Sequence, residues 1–249
     1  MKTAIKIRPI WVSAAFACVL SLQAHADFIN NGGFESGFSG WTIANQTGSE
    51  GAFSLQNGVL SPVNRDTVPA PPTGSAAAMS DAQGPGSHVL YQSFVVSAPV
   101  PTTFLNFDLF VGNRAAAFYT PNTLDFSTPT LNQQARVDIL AGGADPFSVS
   151  ASDVLLNVFR TNTGGALVSG YNRYSFDVTA LLNNHLNTPL TLRFAEADNV
   201  STFQVGVDNV SVDSASVAPV PEPSSCMLLV VGTLLGVGWQ TARMRRVQA

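Results

Sequence analysis

Polar and apolar residues alternate with a period of two through much of the chain. In TTFLNFDLFVG, Leu105, Phe107, Leu109 and Val111 fall on one face, with Asn106 and Asp108 on the other. ARVDIL turns Val137 and Ile139 inward and Arg136 and Asp138 outward, and TLRFAEA does the same with Leu192 and Phe194. Such alternation predicts strands with one buried face each. TFQVGVDNVSV aligns Phe203, Val205 and Val207; Asp208 and Asn209 then break the rhythm, and Val210 and Val212 resume it one position out. A slip of one residue predicts a β-bulge. Asn57-Gly58 between short apolar runs predicts a hairpin turn. DVTALLNNHL predicts one or two helical turns, capped by Asp177 or Thr179, with Leu181, Leu182 and Leu186 tucked under. Many short strands separated by Gly, Pro and Asn predict an all-β protein, an antiparallel β-sandwich.

The two ends depart from this pattern. Lys2, Lys6 and Arg8 precede an apolar stretch too short to span a membrane, followed by Ala24-His25-Ala26. That order predicts a signal peptide over 1–26, cut after Ala26. At the other end, 226–242 carries no charge and approaches the ~17-residue lower limit for a spanning helix. Arg243, Arg245 and Arg246 follow in a basic tail, 243–249, which the positive-inside rule places in the cytoplasm. The expected organisation is thus a signal peptide, a β-sandwich over 27–215, a Ser/Ala/Pro linker over 216–225, a single transmembrane helix and the tail.

Trimming the ends changes the chemistry of what remains. Both cysteines, Cys18 and Cys226, and both lysines, Lys2 and Lys6, fall outside 27–215. The domain therefore has no disulfide and no thiolate site. It retains six arginines against fifteen carboxylates, a net charge of −9. Such a surface repels phosphate backbones and excludes nucleic acid as a partner, while tolerating divalent cations.

Stretches at both ends of the domain and the tail beyond it resemble known families. FINNGGFESGFSGWTIANQTG at the start and VGVDNVSV at the end resemble the first and last strands of galactose-binding-like jelly rolls, which include many carbohydrate-binding modules. Val220-Pro221-Glu222-Pro223, then the apolar segment and the arginines, resembles the PEP-CTERM sorting signal. These resemblances imply a jelly-roll fold and processing by an exosortase after a transient stay in the inner membrane. They imply a final place at the cell surface or in the extracellular matrix of a Gram-negative-type bacterium, with extracellular polysaccharide as partner. The jelly-roll resemblance also implies a structural Ca²⁺. Glu35, Asp208 and Asp81 are its candidate ligands, since Ca²⁺ takes six to eight oxygens.

Candidate glycan contacts are Arg114, Phe118 and Tyr119 in the long 112–134 loop, and Tyr171. Aromatic faces stack on apolar sugar CH groups while polar groups fix orientation. That loop and the concave sheet face are the expected binding surfaces. Trp41 is expected in the core. Glu196 and Asp198 would be the carboxylate pair of a glycosidase, but at a strand end they read as a solvated rim. His88 and His185 lack a nucleophile-elbow context and read as ordinary turn or surface histidines. The three Asn-x-Ser/Thr sequons, at Asn45, Asn199 and Asn209, read as coincidence. The expectation is a non-enzymatic surface protein that binds carbohydrate, or else a matrix component without a defined ligand.

Overall fold

A computed structural model describes residues 27–214. The cleavage site, the Pro-Glu-Pro motif, the apolar segment and the basic tail lie outside the described residues. Ten strands form: β1 (Thr42–Asn45), β2 (Ala52–Gln56), β3 (Ala77–Asp81), β4 (Gly86–Val95), β5 (Thr103–Asn113), β6 (Gln133–Ala141), β7 (Val154–Arg160), β8 (Asn172–Asp177), β9 (Pro189–Asp198) and β10 (Phe203–Ser214). One short helix, α1 (Thr179–Asn184), interrupts them. Among the described residues no helix is long and apolar enough to cross a membrane.

The strands make two five-stranded sheets, ordered β1-β4-β9-β6-β7 and β2-β3-β10-β5-β8, and every pairing is antiparallel. From β3 to β6, and again from β7 to β10, the chain alternates between the sheets, β6 and β7 being paired neighbours in one of them, with β10 returning between β3 and β5. The alternation read from the sequence packs the interior. Leu105, Phe107, Leu109, Val137, Ile139, Leu192, Phe194, Val205 and Val207 all belong to one buried cluster. Trp41 joins it, stacked near Phe34 and Phe194. The bulge in β10 falls between Asp208 and Ser211, where Asn209 adopts φ 51°. Two expectations are corrected. The turn at Asn57-Gly58 forms, but β2 pairs with β3 instead of the residues that follow the turn. Asp177 accepts the amide of Thr179 without capping α1.

Each outer sheet face is partly covered. Val89, Ala195 and Ala197 point away from the core, and Leu124, Phe147 and Val149 from two long loops cover them. Across the sandwich, Met79 and Phe110 are covered by Val68 from the 57–76 connection and by Tyr171. The loop after β5 is pinned rather than loose: the Asn199 amide donates to the carbonyls of Phe126, Thr128 and Thr130. Arg136 and Asp138 therefore face outward from the core, as read, yet are buried under this cover.

The beginning and end of the domain are stitched together. Val210 donates its amide to Gly32 O, Phe28 donates to Val212 O, and Val212 donates to Asp27 Oδ1. A Cβ on Gly32 would stand 1.7 Å from Val210 O, so only glycine fits. Gly32→Ala forces this stitch apart and is expected to cost about 1–3 kcal/mol, read as a lower midpoint in urea.

Candidate functional site

The two sheets part along one seam. There β7, the last strand of its sheet, lies across from β8, the last strand of the other. The connection from 161 to 171 passes over the gap. Its Ser169 amide donates to Val111 O, and the Asn113 amide donates to Leu167 O, so the connection is held against the end of β5. A cavity of about 180 Å³ opens beneath it. Leu109, Val111 and Phe118, all core residues, form its floor. Phe159 and Tyr174 make the walls, their ring centroids 5.2 Å apart and their planes inclined at 66°. Tyr174 is also stacked on Phe107 at 5.3 Å, so its orientation is fixed by the core.

The rim is polar and neutral. Asn162 and Asn172 are exposed and line the cavity. The Asn162 Oδ1 accepts the Gly164 amide, which leaves its Nδ2 unused; the Asn172 side chain and the Tyr174 hydroxyl have no partner among the described residues. Arg160 is the one charged residue lining the cavity. Its Nη2 donates to the carbonyls of Thr120 and Pro121. No carboxylate lines the cavity.

The residues singled out for glycan contact do not form one site. Phe118 is 1 % exposed and packs edge-on against Phe203, so it is a core residue, not an exposed loop ring; it alone of the four lines the seam cavity. Arg114 is exposed and lies 3.6 Å from Asp66 at one end of the sandwich. Tyr119 is half-buried, and its backbone pairs with Gln133. Tyr171 lies under the 57–76 connection, its hydroxyl donating to Gln56 Oε1 at 2.7 Å and its ring against Phe110. The residues missed by sequence reasoning are Phe159, Asn162 and Asn172. No local signal shows that β7 and β8 end on facing edges.

Of the proposed calcium ligands Asp81 stands apart, while Glu35 and Asp208 lie near one another, their charges interacting. Asp81 accepts the amides of Val63 and Asn64 and the side-chain amides of Asn64 and Gln204, so its oxygens are filled by donors. Glu35 accepts from Ser75 and Ala76, and Asp208 from Asn209 and Thr73. Among the described residues no three His, Cys, Asp or Glu side chains are grouped to hold a metal ion. Glu35 and Asp208 as placed are engaged by N–H and O–H donors, which leaves their oxygens partly used. Chelation of divalent ions is expected to leave the melting temperature unchanged. A drop of several degrees would restore calcium to Glu35 and Asp208.

A second polar cluster sits inside the sandwich at one end. Glu196 and Asp198, expected at a solvated rim, are 2 % and 3 % exposed. The reason is their phase: they continue the inward series Leu192–Phe194 on a strand flanked by β4 and β6. His88, also buried, approaches Glu196 Oε1 with its Nε2 at 3.8 Å. The same Nε2 lies 2.9 Å from Glu50 O and Nδ1 lies 2.7 Å from the Asn45 side-chain amide; a neutral ring donates from Nε2 to the Glu50 carbonyl and accepts at Nδ1 from the Asn45 NH₂, with that amide turned to suit. Burial lowers the His88 pKa to about 4, so this is a neutral contact and not an ion pair. Burial, then the neighbouring Asp198, pushes the Glu196 carboxyl well up. Burial likewise raises Asp198 to about 7, against the Gly86 amide that it accepts. Glu196 Oε2 is buried without a partner.

No family model matches the chain, and no curated protein does. Solved structures do. The chain is similar to the carbohydrate-binding module TmCBM61, solved with β-1,4-galactotriose, at 11 % identity and TM-score 0.43, over 76 % of this chain and 99 % of that one. It is similar to the K3 cleaved adhesin domain of Lys-gingipain from Porphyromonas gingivalis, at 12 % identity and TM-score 0.44, over 77 % and 100 %. It is also similar to a cyclase from Fischerella, at 20 % identity and TM-score 0.43, over 76 % and 97 %.

Proposed function

We propose that the domain is a non-enzymatic glycan-binding module that takes a single sugar ring or chain end in the seam between β7 and β8. The observation that carries this is the pairing of Tyr174 and Phe159 as aromatic walls with the unengaged Asn162 Nδ2 and Asn172 amide at the rim. Rings accept the apolar CH face of a sugar, and neutral amides satisfy its hydroxyls. The cavity is smaller than the 300 Å³ or more usual for a drug-sized ligand, which suits one ring and not a bound chain. Glu196 and Asp198 are buried away from this cavity, and that supports binding without hydrolysis. Delivery outside the cell, exosortase processing at Glu222 and residence among extracellular polysaccharide belong to the same reading. They rest on the motifs at the two ends of the chain.

The test is retention on polysaccharide gels. Asn162→Ala and Asn172→Ala change exposed side chains, so the fold is kept. Each is expected to weaken retention about five- to tenfold, the worth of one or two hydrogen bonds. Tyr174→Ala is expected to abolish retention. A folded wild-type domain that passes every polysaccharide unretarded would favour the second reading, a matrix component without a ligand. The small cavity volume and the partly covered sheet faces support that alternative.

A further inference from the structure

The seam cavity has two chemically different halves, and its deep half is the core itself. Leu109, Val111 and Phe118 form the floor while belonging to the main apolar cluster, and each is at most 7 % exposed. Of the lining groups left without a partner, Asn162 Nδ2, the Asn172 amide and the Tyr174 hydroxyl sit on exposed or half-buried side chains, and Arg160 Nε is buried on β7. A sugar seated here therefore has its hydroxyls served at the rim, while Leu109, Val111 and Phe118 offer nothing to one at the floor.

We propose that the occupant enters with a methyl group first, so that the site selects 6-deoxy or N-acetylated sugars over their fully hydroxylated counterparts. This rests on the reading of the seam as a glycan site. A hydroxymethyl arm pushed against Leu109 and Val111 loses its water and gains no partner, a net cost. A methyl in the same place only removes apolar surface from water. Selection by apolar pockets is worth about ten- to two-hundredfold per group, so a preference of tenfold or more is the expected reading. The absence of any lining carboxylate leaves no bidentate acceptor for a vicinal diol.

Matched sugars separate the possibilities: L-fucose against L-galactose, L-rhamnose against L-mannose, and N-acetylglucosamine against glucose. Each is titrated into the isotope-labelled 27–214 domain, and the side-chain resonances of Leu109, Val111, Phe159 and Tyr174 are followed. The expected result is a shift of those signals at concentrations at least tenfold lower for the methyl-bearing member of one pair. The first two pairs report a deoxy methyl and the third an acetyl methyl. Ala166→Phe, at an exposed position on the cavity lining, blocks the entrance without altering the core and is expected to remove the shifts. Equal or tighter binding of the hydroxylated member at the same resonances overturns the methyl preference and keeps the glycan site. No seam shift with any of the six sugars, in a domain whose spectrum is otherwise that of a folded protein, removes both.

Discussion

Replacing Asp138 with asparagine is expected to destabilise the domain by about 3–5 kcal/mol, the cost of leaving buried charge uncompensated. Asp138 is fully buried on the outer face of β6. Arg136 grips both its oxygens, at 2.7 and 2.8 Å. Arg193, itself 0 % exposed, donates Nε to Oδ2 at 2.9 Å, with Nη2 also 2.8 Å away. Asn157 donates to Oδ1. Two guanidinium groups thus share one carboxylate with almost no water. The Arg193 Nη1 reaches on to Pro146 O, which ties the covering loop to the same centre. For a domain of this size the loss corresponds to roughly 10 °C in melting temperature. Differential scanning calorimetry on Asp138→Asn measures it. The combined change Arg136→Met, Asp138→Leu and Arg193→Met removes all three charges together and is expected to recover most of the loss. A single mutant that melts like the wild type would show that the arginines find other partners or water.

Raising the pH above 6.5 is expected to lower stability steadily, and Glu196→Gln is expected to remove most of the slope. Glu196 and Asp198 are carboxyls whose folded pKa values lie above the unfolded ones. The folded state keeps protons that the unfolded chain releases, so stability is greatest below about pH 4 for these groups and is lost as pH rises toward their folded values. For Asp198 that window runs from 3.8 to about 7; for Glu196 it starts at 4.5 and extends upward. His88 acts in the opposite sense. Its folded pKa of about 4 lies below 6.5, so the unfolded chain takes up a proton first on acidification. Between pH 4 and 6.5 the histidine therefore offsets one carboxyl, and above 6.5 the loss is no longer opposed. Each ionising group contributes about 1.4 kcal/mol per pH unit across its window. The groups facing Glu196 are His88 from β4, Asp198 from its own strand, and Ser80 and Asp81 from β3 across the sandwich end. Urea midpoints of wild type and Glu196→Gln at pH 4 and pH 8.5 are the measurement. The two proteins are expected to agree at pH 4, with the mutant the more stable at pH 8.5. Equal slopes would mean that Glu196 is ionised in the fold.

The strands and their inward faces were legible in the sequence because alternation is a local property. Leu105 to Val111 and Phe203 to Val212 each carry their own phase, and the break at Asp208–Asn209 marks the bulge directly. What lay over the sheets was not local. Arg136 and Asp138 show the polar phase of an exposed face, yet Pro146 and the loops around Leu124 and Phe147 enclose that face. Glu196 shows the same limit from the other side. Its phase is that of Leu192 and Phe194, but a carboxylate reads as surface until the neighbours that bury it are known. The seam was out of reach altogether. Phe159 and Tyr174 are separated by the 161–171 connection, and only the order of strands in two sheets brings them to one opening.

The stitching of first segment to last strand has a mechanical meaning. β10 runs to Ser214 alongside β5, in register with Thr103 at its end, while β3 pairs with its other side over Val205, Gly206 and Val207. Asp27 and Phe28 clasp the same stretch at Val212. A pull on the C-terminal end therefore acts along β10 and loads its lateral hydrogen bonds in parallel as shear, not one after another as in peeling. Tension delivered at that end is borne by the middle of the sandwich, and the sheet edges that frame the seam are left slack.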